Sequence, residues 1–365
     1  MTIWDWMRRE RLLSFLLLSF PLLWLLTDTP IRSLPSLVHW HTIAALTGLM
    51  ILSTAIQWSG MVNFVARHLL RSIHSERLLA LALCLLAAAL AAVITNDVAL
   101  FLVIPLTLAL ARIARLPIAR LVIFQALSVN AGSALSPIGN PQNIFLWQTS
   151  EVGFLTYTFA MLPMALPFII VLGGGITLAF HSYPLALEAL PERSERVDRR
   201  LFWPTLALYP IFLYALDQGQ GWIATAFLIV IYAIWQNRRL LEIDWALLLL
   251  FVLMFTHLGM LTQLSQVHLL AEWLLSRPGR ELTAGIFLSQ IISNVPAAIF
   301  LEPFSADWQR LAWGVNIGGF GLVIGSLANL IALRLARQPG LLLQFHLWSI
   351  PCLLLASLLV ILTIG

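Results

Sequence analysis

Apolar stretches of helical length, set apart by short polar segments, follow one another along the whole chain. A membrane-spanning helix needs about 20 apolar residues. By that measure, crossings fall near 11–27, 37–57, 118–147, 157–181, 201–216, 221–236, 245–264, 308–335 and 342–363. Two further apolar runs, 78–114 and 281–306, carry a polar interruption at their middles, "ITNDV" (Ile94–Val98) and "ISNVP" (Ile292–Pro296). Each arm is then expected to be short, and both runs read as re-entrant hairpins. The pattern predicts an all-α polytopic membrane protein with about nine full crossings and two hairpins.

A second kind of interruption lies inside the run at 118–147. "SALSPIGNPQNIF" (Ser133–Phe145) puts Pro137, Gly139 and Pro141 with Asn140, Gln142 and Asn143 at mid-depth. In hydrocarbon every backbone N–H and C=O must find a partner, so a broken helix survives only where protein or a polar cavity surrounds it. Proline removes a donor, and glycine lets the chain turn. Proline and glycine are also common in membrane helices as plain kinks, which suffices for Gly173–Gly175. It does not suffice for 136–143, because the polar residues recur. "VNAGSALSPIGNPQN" from Val129 and "VNIGGFGLVIGSLAN" from Val315 align without a gap at an offset of 186. Six of the fifteen positions are identical, among them Asn130/Asn316, Gly139/Gly325 and Asn143/Asn329. Thr95-Asn96 likewise matches Ser293-Asn294. The second copy has no proline, and Gly318, Gly319, Gly321 and Gly325 would have to loosen that helix instead.

Matching crossings of the two copies are separated by an odd number of crossings, so the halves are inverted. The expected units are a first repeat at 1–181, a loop and linking helix at 182–220, and a second repeat at 221–365. Inverted repeats with helices broken at the midplane are the architecture of secondary transporters.

Charge orients this scheme. With the N-terminus inside, 17 arginines fall in cytoplasmic segments and four outside, at Arg32, Arg277, Arg280 and Arg310. The positive-inside bias therefore places the N-terminus in the cytoplasm and the C-terminus outside. It puts the first hairpin on the cytoplasmic side and the second on the outer side. The calculated pI near 9.6 reflects these loops rather than nucleic-acid binding. The first apolar run follows Arg8, Arg9 and Arg11 as a signal peptide would, but only "TDTPIRSLP" follows it, so it reads as a retained helix.

Composition narrows the function. The chain is 60% hydrophobic and 10% charged, against about 25% charged in soluble domains. It contains no lysine, so a Walker A loop is excluded and energy must come from an ion gradient or a separate subunit. Two cysteines, Cys84 and Cys352, lie in apolar runs and form neither a CxxC site nor a disulfide framework. No metal site or cofactor is expected beyond a coupling Na⁺ or H⁺.

The candidate chemistry gathers at the interruptions. Asn96 and Asn294 can bind an ion through their amides or cap the tips. Asp97 is an ionisable group inside the membrane, which by default marks a functional site. Its counterpart is Val295, so the site holds one tip carboxylate, a candidate for Na⁺ or H⁺, or else an N-cap. Glu302 and His257 are further candidates for a proton relay, with a surface position and a helix-carbonyl contact as the plainer readings. His39, His41, Trp40 and Trp245 read as interfacial. No arginine maps to mid-membrane, so an anionic substrate would depend on helix dipoles, amides, hydroxyls and Na⁺.

"ITNDVALFLVIP", "NAGSALSPIGNPQNI" and "SNVPAA" resemble the ion transporter superfamily, in its branch of citrate-transporter-like proteins, arsenite permeases and NhaD-type sodium/proton antiporters. The resemblance extends over nearly the whole chain. It implies a scaffold domain, a mobile transport domain moving like an elevator, and a homodimer in the inner membrane of a bacterium. It maps substrate and ion sites onto Thr95, Asn96 and Asp97, onto Ser136, Gly139, Asn140 and Asn143, and onto Ser293 and Asn294. At the second break Asn316, Gly325, Ser326 and Asn329 stand in matching places, and Asn130 completes the set. The second tip reads "SNVP" where dicarboxylate/sodium symporters have "SNT", which argues against a dicarboxylate. The sequence thus predicts secondary active transport of a small carboxylate, inorganic oxyanion, arsenite or antimonite, coupled to H⁺ or Na⁺. A Na⁺/H⁺ antiporter of the same fold is the alternative. An intramembrane enzyme pairing Ser133 with His257, and a passive channel, are the outlying readings.

Overall fold

The computed structural model describes residues 11–70, 73–111, 116–184, 197–277 and 279–364. Most of the polar stretch Ala189–Arg200 lies outside the described residues, as do Arg8, Arg9, Arg71, Arg112 and Arg115. Among the described residues the structure is helical, and the sole β contact is an isolated bridge between Ser75 and Pro184.

The first half runs α1 (Arg11–Thr27), a 3₁₀ turn (Ile31–Leu37), α2 (Trp40–Trp58), α3 (Met61–Leu70), α4 (Glu76–Ile94), α5 (Asn96–Ala111), α6 (Ile118–Ser133), α7 (Pro141–Ser150) and α8 (Phe154–Ala179). The linking helix α9 (Arg199–Asp217) follows. The second half runs α10 (Gly221–Trp235), α11 (Asn237–Leu240), α12 (Trp245–Leu261), α13 (Ser265–Leu274), α14 (Arg280–Ile292), α15 (Asn294–Leu301), α16 (Trp308–Gly318), α17 (Leu327–Ala336) and α18 (Leu341–Ile364). The fold is that of an all-α polytopic membrane protein. α4, α8 and α18 are each long and apolar enough to cross a membrane alone.

Two features differ from the expectation. α4 has 19 residues, so the first arm of the first hairpin is not short. Its apolar run simply meets no polar residue before Thr95. Two short helices, α3 and α13, bend from α2 and α12 by 55° and 95°. Both are only 10 residues long with polar positions throughout, so a search for 20-residue runs passes over them.

Packing between the halves is reciprocal. α1 packs on α12, and its counterpart α10 packs on α2. α17 packs on α5 and α6, while α7 packs on α15 and α16. Within each half, the first hairpin arm lies against the first part of the broken helix, α4 on α6 and α14 on α16, and glycine sets the distance. A Cβ on Gly132 would lie 2.0 Å from the Ala88 carbonyl oxygen, and one on Gly318 would lie 2.3 Å from Ser289 Cβ. Even the tryptophans repeat, since the indoles of Trp40 and Trp245 donate to the carbonyls of Pro35 and Leu240, each five residues back.

The helices also sort into two packing groups. α1, α2, α9, α10 and α12 hold one another. The hairpins, the broken helices, α8 and α18 hold one another in turn. The groups meet chiefly where α2 touches α5 and α7 and where α12 touches α15. The buried, unpaired cysteines Cys84 and Cys352 are packing residues.

Candidate functional site

The two hairpin tips share an unusual backbone. Thr95 has φ 93° and ψ 147°, and Ser293 has φ 73° and ψ 156°. That region suits glycine, and such strain concentrates at ligand clamps and switches. Beyond each tip a helix begins. The Thr95 carbonyl accepts from Ala99 N–H, and the Ser293 carbonyl accepts from Ala297 N–H. The first tip is tied to the first break, because Asn96 N–H donates to the Gly139 carbonyl at 2.8 Å. Asn294 lies against the second break, its Nδ2 3.3 Å from where a Gly319 Cβ would stand.

The breaks fall between Ser133 and Pro141 and between Gly318 and Leu327. The first uses its prolines. Asn140 caps α7, its Oδ1 accepting from Asn143 N–H, with Pro141 at the first helical position. Gly139 allows a close approach, since a Cβ there would meet the Ser133 carbonyl oxygen at 2.2 Å. The second break lacks proline, and Gln290 of α14 supports it. The Gln290 amide donates to the Gly318 carbonyl at 2.6 Å and accepts from Leu322 N–H at 2.7 Å. In the first half the equivalent contact between break and hairpin arm is made by Ser136, whose hydroxyl donates to the Ala92 carbonyl at 2.6 Å.

The breaks meet each other through asparagines, and the contacts obey the 186-residue offset. Asn130 Nδ2 donates to Asn329 Oδ1 at 2.8 Å, and Asn316 Nδ2 donates to Asn143 Oδ1 at 2.6 Å. Adding 186 to Asn130 and subtracting 186 from Asn329 turns the first pair into the second. The Ser326 hydroxyl donates to Asn130 Oδ1 at 3.0 Å, and Asn140 Nδ2 donates to Asn316 Oδ1 at 2.9 Å. Asn143 donates to the Ser133 carbonyl and Asn329 to the Gly319 carbonyl. This network satisfies the amides it contains in the way a buried polar cluster requires. It leaves the tips as the places with unspent polar groups. The Thr95 and Ser293 hydroxyls and the Asn294 amide make no hydrogen bond among the described residues, and Asn96 spends only its Oδ1, on Asp97 N–H at 2.9 Å.

Asp97 is half-buried in the first turn of α5. Its carboxylate has no hydrogen bond and no ion pair among the described residues. The tip and break segments 95–97, 128–143, 293–296 and 315–329 contain no Arg or His.

Thr95, Asn96, Asp97, Asn130, Ser136, Gly139, Asn140 and Asn143 are thus brought together with Asn316, Gly325, Ser326 and Asn329, and Ser293 and Asn294 adjoin the second break. Glu302 and His257 stand apart. Glu302 follows α15 and opens the short 3₁₀ turn Glu302–Phe304. His257 lies between α12 and α1, with Nδ1 2.7 Å from the Leu253 carbonyl and Nε2 3.2 Å from the Ser19 hydroxyl. It does not meet Ser133, whose hydroxyl donates to the Asn130 carbonyl. Sequence reasoning placed Gln142 in the break but not among the site residues; it is buried and donates to Asn316 Oδ1 at 3.4 Å. It missed Gln290, for which an amide in an otherwise apolar run was the available signal.

Comparison with known proteins agrees with this architecture. The profile of the citrate transporter family matches residues 1–315. The inner membrane protein YbiR of Escherichia coli is 42% identical over 336 residues, covering 90% of this chain and 88% of its own length. The uncharacterized transporter MJ0456 of Methanocaldococcus jannaschii is 32% identical over 314 residues, covering 82% of each chain. A Dictyostelium discoideum protein named "Putative transporter arsB" is 24% identical over 126 residues, 34% of this chain and 22% of its own. Family profile, relatives and helical architecture agree, and the chain belongs to the citrate transporter family of membrane transporters.

Proposed function

We propose that the chain is a secondary active transporter that carries a small ion or solute across the bacterial inner membrane, coupled to H⁺ or Na⁺. Its binding site is formed by the hairpin tips against the two breaks. The observation that carries this reading is the pair of strained tips, Thr95 and Ser293, each opening a helix N-terminus and holding unspent polar groups beside an unpaired Asp97. The N-terminus is cytoplasmic, and the inverted repeats at 1–181 and 221–365 flank the link at 182–220. The hairpins, broken helices, α8 and α18 move as one body against the other helices, in the manner of an elevator.

The charge inventory bears on the substrate. One carboxylate, Asp97, and no basic side chain in the tip and break segments favour a cation or an uncharged solute. A carboxylate or oxyanion would need accompanying cations to offset Asp97. This favours arsenite-like neutral solutes within the main reading. It also supports the second reading, a Na⁺/H⁺ antiporter in which Asp97 binds the two ions in turn.

The test is solute uptake by the full chain in proteoliposomes, for citrate, succinate, sulfate, phosphate, arsenite, Na⁺ and Li⁺, with and without imposed pH and Na⁺ gradients. Accumulation of one solute only under a gradient is the expected result. Flux that ignores both gradients would identify a passive channel, and no flux of any solute would refute the proposal.

A further inference from the structure

The two halves mirror each other so closely that departures from the mirror carry information. One departure joins the two packing groups. The Tyr209 hydroxyl of α9 donates to the Val93 carbonyl at 2.7 Å, and the Ser53 hydroxyl of α2 lies 3.3 Å from the Tyr209 oxygen. Tyr209 is 5% exposed, so this bond is made away from bulk water. Val93 stands one residue before the end of α4, where carbonyls have no partner within the helix. The neighbouring Ala92 carbonyl is held by Ser136, from the same packing group. The Val93 carbonyl is held by the linking helix, from the other group.

The second hairpin has no such bond. Val93 corresponds to Ile291 and Ala92 to Gln290, counted from the matching tips, and both Val93 and Ile291 are 56% exposed. No side chain among the described residues donates to the Ile291 carbonyl. The reason is topological. α9 belongs to neither repeat, so no second copy of Tyr209 exists. In an inverted-repeat carrier, a contact within or between repeats has a mirror image that the opposite state can form. A contact to α9 has none.

We propose that Tyr209 is a latch, a positioning residue that holds the Thr95–Asp97 tip against the linking helix in one end state only and so biases the equilibrium between the two. The inference rests on the two-body reading given above. Removing the hydroxyl leaves every mirrored contact intact and weakens only the latched state. Hydrogen bonds between membrane helices contribute about 0.6 kcal/mol on average, equivalent to a population shift of about threefold.

The test uses full-length Tyr209→Phe in lipid nanodiscs without added solute. Amide hydrogen exchange is followed at both tips, residues 92–100 and 290–298. Exchange at the first tip rises about threefold and exchange at the second is unchanged. Ser53→Cys, with and without Tyr209→Phe, provides a second readout, because Ser53 is fully buried behind the latch and the native Cys84 and Cys352 are buried elsewhere. Its labelling by a small water-soluble maleimide accelerates about threefold. Unchanged exchange at the first tip, or unchanged labelling, overturns the latch. An equal rise at both tips overturns it as well, since that would make Tyr209 a general support of the fold. None of these outcomes bears on whether solute is carried, which the uptake assay decides separately.

Discussion

Truncating Asn316 to alanine reaches furthest into the crossing of the two breaks. Asn316 Nδ2 donates to Asn143 Oδ1 at 2.6 Å and to the Ala312 carbonyl at 2.8 Å, and its Oδ1 accepts from Asn140 at 2.9 Å. In Asn316→Ala the Ala312 carbonyl keeps its helical partner, and Asn140 Nδ2 keeps the Ser133 hydroxyl at 3.2 Å. Asn143 Oδ1 has no other donor and is left buried and unsatisfied, and the buried Gln142 amide loses its Asn316 acceptor, which together cost about 1–3 kcal/mol or more. Asn130→Ala strands Asn329 Oδ1 in the same way, so the two single variants lose similar stability. The sharper test is a double-mutant cycle, read by reversible unfolding in mixed micelles. The bonded pairs 143/316 and 130/329 each couple by about 0.6–1.5 kcal/mol. The pair 130/316 shares no partner and adds to within about 0.5 kcal/mol. Additive behaviour in the bonded pairs, or equal coupling in 130/316, would refute the reciprocal network.

Other consequences concern the glycines, the tips and the moving contact. Gly132→Ala drives a methyl into the Ala88 backbone and costs about 1–3 kcal/mol or more, whereas Gly173→Ala and Gly174→Ala meet nothing within 4 Å and stabilise α8 slightly, as thermal unfolding will report. Thr95→Gly and Ser293→Gly relieve tip strain and raise stability by about 1 kcal/mol or more while lowering the transport rate, so a rise in both would sever strain from function. Phe145 of α7 packs against Phe255 of α12 with ring centroids 5.4 Å apart, joining the two groups. Bridging Phe145→Cys to Phe255→Cys with a short bifunctional thiol reagent stops transport and reduction restores it. Full transport by the bridged protein would exclude relative movement there.

Much of this was legible in the sequence, for identifiable reasons. Period-independent apolar runs gave the long helices to within a few residues, because length and hydropathy alone decide a spanning segment. The 186-residue offset gave the equivalence of Asn130 with Asn316 and of Asn143 with Asn329. It could not say which residue of one copy bonds which of the other, since that depends on how the copies cross. The second break was harder to read, lacking proline. Its support, Gln290, sits on a different helix, and no local pattern links it to Gly318 and Leu322. The short helices α3 and α13 were missed because each is 10 residues long and carries polar positions, so no unbroken apolar run marks it. Tyr209 gave no signal, as its role depends on a contact across 116 residues of chain.

The central claim is that the hairpin tips form the site of a coupled carrier with Asp97 as its ionisable group. It is tested most directly by solute-driven proton movement into dye-loaded proteoliposomes, comparing the native chain with Asp97→Asn. The expected result is a solute-dependent pH change that the variant loses while remaining folded and lipid-inserted. An undiminished pH change in Asp97→Asn would contradict it and reduce Asp97 to the cap of α5.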